Sequence, residues 1–119
     1  MTLKIYHHPN CTSCKKALKH LQQREVNFTA HNIIDLPPGQ KELTAMLRNY
    51  QGNIRRLFNT SGQAYRQADL KTKLGQLSDE QALALLASDG MLVKRPFIID
   101  DDGNGLVGYN EAALTELLA

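Results

Sequence analysis

Cys11 and Cys14 stand in the run HPNCTSCKK and are the two cysteines of the chain. A pair spaced C-x-x-C can exchange with a disulfide, sense an oxidant or contribute to a metal site. From Thr12 onward, Cys14, Ala17, Leu18 and Leu21 fall at i, i+3, i+4 and i+7. This apolar stripe predicts a helix running to about Arg24, with Cys11 at or beside its N-cap. The first N–H groups of a helix have no intrahelical partner, and such donors stabilise a thiolate. Lys15 and Lys16 lie within a turn of Cys11, and the first turn carries no acid. Cations at this end oppose the helix dipole by about 0.3–1 kcal/mol each, a mismatch that a thiolate or a bound oxyanion relieves.

Side chains at i and i+3 of a helix have Cβ atoms roughly 5–6 Å apart, and a disulfide needs about 3.5–4.5 Å. A modest tightening of the first turn would close a Cys11–Cys14 bond, exposed and readily exchanged. The helix end favours Cys11 as the attacking thiolate, which leaves Cys14 to resolve. Two other readings are weaker. A zinc site would have to recruit His7 and His8, but the chain has no H-x₃₋₅-H and no second C-x-x-C, so no metal is expected. A C-x-x-C without chemistry is disfavoured by its place at a strand-to-helix turn. His20 and His31 read as surface or satisfied core histidines.

The elements that must hold this pair follow from periodicity. Thr2 to Tyr6 alternates and predicts a strand, and VNFTAHNII, Val26 to Ile34, predicts a second, which completes a β-α-β unit. A helix is expected from about Gln40 to Tyr50, interrupted by Gly52 before the short segment IRRLFN. The polar stretch from Thr60 to Leu77 suits short helical turns. Ser78 with Gln81 forms a capping box for a helix stopped near Gly90. Pro96 opens a strand through Asp100, DDGNG turns the chain into Leu106–Gly108, and Asn110 caps a terminal helix. The order β-α-β, helices, β-β-α predicts an α/β protein with a thioredoxin-like core: a mixed four-stranded sheet and a helical insertion, about residues 40–90, between its halves. One domain is expected over residues 1–119.

Composition sets the outer limits. The chain has 119 residues, 42% hydrophobic and 22% charged, ordinary globular values that exclude a disordered or collagen-like identity. Fourteen Lys+Arg against 12 Asp+Glu leave +2, too little to argue for direct DNA or membrane-surface binding. No secretory signal pattern or apolar run of membrane-spanning length is seen, so a cytoplasmic location is expected, where a cysteine pair is more often reactive than structural.

Three segments, YHHPNCTSCKKAL, LFNTSGQAYR and LLASDGMLVKRPFIIDDDGNGLVGYNEAAL, resemble the arsenate reductase/Spx family over essentially the whole chain. The resemblance implies a thioredoxin-like fold and a nucleophile at Cys11. It places oxyanion-binding arginines at Arg95, before Pro96, and at Arg55, with Arg56 adjacent. It also implies that Pro96 is cis and shapes the substrate surface opposite the cysteines, with Arg95 facing Cys11. By residue type alone, Arg95 could instead be a solvated strand-end charge and Pro96 an ordinary trans proline, and Lys94 reads as a surface charge.

Two positions depart from the single-cysteine arsenate reductases. Gly108 stands where they carry an arginine, which removes a bidentate contact of about 1.5–3 kcal/mol and argues against efficient arsenate reduction. Cys14 stands where they carry serine and resembles the redox-switch cysteines of Spx, a regulator that binds the C-terminal domain of the RNA polymerase α subunit. Gly52 lies where Spx has a glycine at that contact. Two functions are therefore expected as alternatives. The first is a thiol-dependent oxidoreductase with no bound cofactor, reduced by glutathione or another small thiol and by a glutaredoxin or thioredoxin system. The second is a Spx-like redox-sensing regulator of RNA polymerase.

Overall fold

A computed structural model describes residues 2–119. Its centre is strand β1, Leu3–His7, followed by helix α1, Thr12–Gln23, and strand β2, Phe28–Asn32. β2 lies parallel to β1, with Ile5 opposite Ala30. A parallel pair needs a crossover, and α1 is that crossover. Strand β3, Phe97–Asp100, runs antiparallel on the other side of β1, and β4, Gly105–Val107, pairs antiparallel with β3. The sheet order is β2-β1-β3-β4, the mixed four-stranded arrangement expected of a thioredoxin-like core.

Strand alternation sends side chains to two cores. Leu3 and Ile5 of β1, Ile98 of β3 and Leu106 of β4 pack with Ala17 and Leu21 of α1 and with Leu114 of helix α6, Glu111–Leu118. The opposite face, through Tyr6, Phe97 and Ile99, packs on the helices that come between β2 and β3. These are α2, Gln40–Asn49, α3, Gln63–Gln67, α4, Leu70–Lys73, and α5, Asp79–Ser88.

Local signals written in the sequence act as expected. The Ser78 hydroxyl accepts from the Gln81 N–H at 3.1 Å, and the Gln81 side chain accepts from the Ser78 N–H at 2.9 Å, a complete capping box. Asn110 Oδ1 accepts from the Ala113 N–H at the start of α6. In the β3–β4 turn, one Asp100 carboxylate oxygen accepts the N–H groups of Asp102 and Asn104, both at 2.9 Å, while Gly103 takes φ +87°.

β2 is shorter than the apolar run suggested. As the sheet's edge it is only half-covered, and Ile33 leaves the strand to become fully buried while Ile34 stays exposed. The chain past α5 reaches this point as well: a Cβ on Gly90 would sit 1.8 Å from the Ile33 carbonyl oxygen, so backbone rests on backbone there. From Gly90 the chain is drawn back to the segment after α2. Phe58 and Val93 form an antiparallel bridge, the Asn59 N–H donates to Leu92 O, and the Lys94 N–H donates to Leu57 O, both at 2.8 Å. This clamp delivers the chain to a cis Arg95–Pro96 peptide and into β3. The carbonyl of Pro96 accepts the Gly108 N–H, tying the end of β4 to the same place.

Gly90→Ala is expected to destabilise the protein by about 1–3 kcal/mol or more, because the added methyl meets backbone that cannot rotate away. Gly75→Ala, which meets open space, should be close to neutral. Denaturant unfolding of the two variants checks the contrast.

Candidate redox and anion-binding site

The site is built where β1 hands over to α1. Cys11 is the N-cap residue, extended at φ −96° and ψ 116°, and its Sγ accepts the Cys14 N–H at 3.3 Å. A thiol therefore occupies the place a serine or aspartate side chain ordinarily fills. The loop before it is braced by His8, whose carbonyl accepts the Cys11 N–H and whose Nδ1 accepts the Asn10 N–H, both at 3.1 Å. Burial, then the charges of His8 and His31, hold the His7 imidazole below the usual histidine value. No acid lies in the first turn of α1.

The two thiols differ sharply. Both are free, Cys11 partly exposed and Cys14 fully buried. Burial, with a hydrogen bond to Cys11 and the Cys11 charge behind it, pushes the Cys14 thiol up to about 12; a His8 backbone bond and the Arg95 charge act the other way. Two of the causes that hold the proton on Cys14 thus belong to Cys11 itself. Once the Cys11 sulfur is tied into a mixed disulfide its negative charge is gone, and Cys14 becomes easier to deprotonate when it is needed as the second nucleophile.

Arg95 lies in the segment leading into β3. One guanidinium nitrogen, Nη1, is buried and has no hydrogen-bond partner among the described residues. A buried donor left unpaired costs roughly 1–3 kcal/mol, and this one belongs to the cation whose field reaches Cys14. Pro96, buried beside it, is cis. The structure thus brings Cys14 into contact with Cys11 and within reach of the Arg95 charge. The Arg55 guanidinium donates to the Tyr65 hydroxyl and lines a pocket with Arg56 and Lys94. Gly108 has φ +76°, a conformation that disfavours any side chain there.

Three participants were not singled out from sequence: His8 as the brace of the cysteine loop, Tyr65 as the partner of Arg55, and Lys94 as a pocket residue. For Lys94 the available signal was its place next to Arg95; for Tyr65 none was present, because the contact depends on how α3 folds back.

An alkylating reagent at neutral pH is expected to label Cys11 well before Cys14, as read by peptide mass mapping; the reverse order would exchange their roles. Cys11→Ala should bring the Cys14 pKa down from about 12, as followed by ultraviolet thiolate absorbance.

Comparison with known proteins agrees with this architecture. The ArsC family profile matches residues 6–117. The uncharacterized protein YusI of Bacillus subtilis is 39% identical over 116 residues, 98% of both chains. The global transcriptional regulator Spx of Streptococcus pyogenes serotype M1 is 31% identical over 111 residues, 93% of this chain and 81% of that one. The crystal structure of a possible arsenate reductase from Streptococcus mutans superposes with a TM-score of 0.83 at 39% identity, over 91% of each chain. With its sheet order, its N-terminal cysteine pair and a match spanning nearly its whole length, the chain belongs to the ArsC family.

Proposed function

We propose that this protein is a cytoplasmic thiol–disulfide oxidoreductase in which Cys11 attacks and Cys14 resolves. The observation that carries this reading is the asymmetry of the pair: one sulfur capping the helix and reachable, the other buried one turn inside with its proton held. The Cys11 thiolate attacks one sulfur of a disulfide R–S–S–R′, forms Cys11–S–S–R and releases R′S⁻, which takes up a proton. Cys14 then loses its proton and attacks the Cys11 sulfur, releasing RS⁻ and leaving a Cys11–Cys14 disulfide. The substrate gains two electrons and the protein loses two. An external dithiol of the glutaredoxin or thioredoxin type, or two molecules of a small thiol such as glutathione, returns them. Arg95 holds the developing anion, Pro96 shapes the surface the substrate meets, and Arg55 contributes a further cation. No tightly held cofactor is required.

Arsenate is the less suited substrate. Gly108 offers no third guanidinium, and its φ of +76° would strain one introduced there.

A second reading, a redox-sensing regulator that binds the RNA polymerase α subunit, is favoured by the similarity to Spx and by Gly52. That glycine is exposed on a turn at φ +80°, with no atom within 4 Å of where its Cβ would be. In that case the same disulfide would set affinity for the polymerase subunit in place of turnover.

Steady-state reduction of a glutathione mixed disulfide and of arsenate, run beside capture of the α C-terminal domain, separates the two readings. Cys11→Ser is expected to abolish disulfide reduction, and Cys14→Ser to accumulate a mixed disulfide on Cys11 visible by mass spectrometry. Arg95→Gln should lower kcat/KM by about 10- to 100-fold, the loss of one charge-assisted contact. Redox-dependent α binding without turnover would overturn the oxidoreductase in favour of the regulator.

A further inference from the structure

We infer that the His8 imidazole is a positioning residue for Cys11 that works only in its neutral form, so that a proton taken up by this side chain loosens the turn that aims the attacking sulfur. The inference rests on the oxidoreductase reading and adds to it a point of control by acid.

His8 to Cys11 form a β-turn between β1 and α1, in which the His8 carbonyl accepts the Cys11 N–H at 3.1 Å. Pro9 stands at the first central position, where its fixed φ favours the turn, and Asn10 at the second. Within this turn His8 Nδ1 accepts the Asn10 N–H, also at 3.1 Å. A bond from a side chain to the N–H two residues on is the one by which Asp, Asn, Ser or Thr braces a turn. Here an imidazole fills that place. The N–H groups of Asn10 and Cys11 are thus both held by His8, one by its side chain and one by its backbone. Cys11 leaves the turn as the N-cap of α1, its Sγ accepting the Cys14 N–H at 3.3 Å. The His8 backbone also acts on the Cys14 sulfur, in the direction that favours the thiolate. His7, one residue earlier, serves the sheet instead, its carbonyl accepting the Ile33 N–H at 2.8 Å.

The donor to His8 is a backbone N–H, so Nδ1 is the acceptor and carries no proton. In an imidazolium both ring nitrogens are donors. Protonation therefore sets two donors against each other at Asn10 and removes the brace. An asparagine in the same place would keep its acceptor across this range. The titratable and charged groups around the turn are His7 at the end of β1, His31 on β2, the two thiols at the start of α1, and Arg95 before β3; no acid is among the groups acting on His7 or Cys14. Two effects of the proton compete. A positive charge near Cys11 favours its thiolate, whereas loss of the turn withdraws the geometry that presents it. Solvent screens the charge at this partly exposed position, and the turn leads directly into the N-cap, so the geometric effect governs.

The test is the rate of Cys11 alkylation by iodoacetamide between about pH 8 and pH 5, the range in which imidazoles titrate, in wild type, His8→Asn and His8→Ala. Each rate is divided by the Cys11 thiolate fraction read from ultraviolet absorbance. At the alkaline end wild type and His8→Asn should react alike and His8→Ala about three- to tenfold more slowly, the worth of one neutral hydrogen bond. Toward acid, wild type should fall to the His8→Ala rate while His8→Asn holds, and the Asn10 and Cys11 amide resonances should titrate with the His8 ring in wild type alone. Parallel profiles for wild type and His8→Asn, or a wild type that outpaces His8→Asn in acid, would overturn the proposal, the second by making His8 a source of charge. That pair decides the matter even where His8→Ala does not fold. A Cys11 inert toward disulfides that keeps the His8-dependent profile would overturn the oxidoreductase reading and leave the positioning role standing. Active disulfide reduction with parallel profiles would do the reverse.

Discussion

The docking stripe of α1 is the constraint on which the rest of the site depends. Cys14, Ala17 and Leu21 share one face of the helix and are fully buried. The same packing that fixes the helix thus decides which cysteine meets solvent. Cys14 is part of the hydrophobic stripe, whereas Cys11, one turn earlier, lies beyond its end and turns its sulfur to the helix terminus. A pair on a helix docked with a different rotation would lose this division of labour even with identical spacing.

Around that helix the fold brings in cations by a non-local route. The antiparallel contact between residues 57–59 and 92–94 joins segments about 35 residues apart in sequence. It sets Arg95 and Pro96 on the cysteine side and leaves Lys94 beside Arg55 and Arg56. The segment between β2 and β3 therefore does more than cover one sheet face: it also carries Arg55, Arg56 and Lys94.

What could be read from the sequence was what is local. The 3.6-residue stripe of α1, the Ser78–Gln81 box, the Asn110 cap and the DDGNG turn each state their structure within a few residues, and each is found where the pattern put it. The thiol pair was legible for the same reason. The length of β2 was not, because Val26–Ile34 reads as one apolar run although only its middle pairs with β1, and Ile33 is claimed by the other core. Nor was the environment of the arginines: Arg55 bonding to Tyr65, Lys94 lying along Gly108 and the burial of one Arg95 nitrogen all follow from long-range pairing, on which periodicity is silent.

The unpaired Arg95 nitrogen couples anion binding to folding stability. An internal donor without a partner is a standing deficit in the folded state, and an anion that satisfies it is bound by the native form and not by the unfolded chain. Such a ligand raises the melting temperature in proportion to the logarithm of its concentration over its dissociation constant, with about 1 kcal/mol corresponding to a few degrees in a protein of this size. Heat denaturation across a panel of anions would thus rank candidate substrates without any assumption about the reaction.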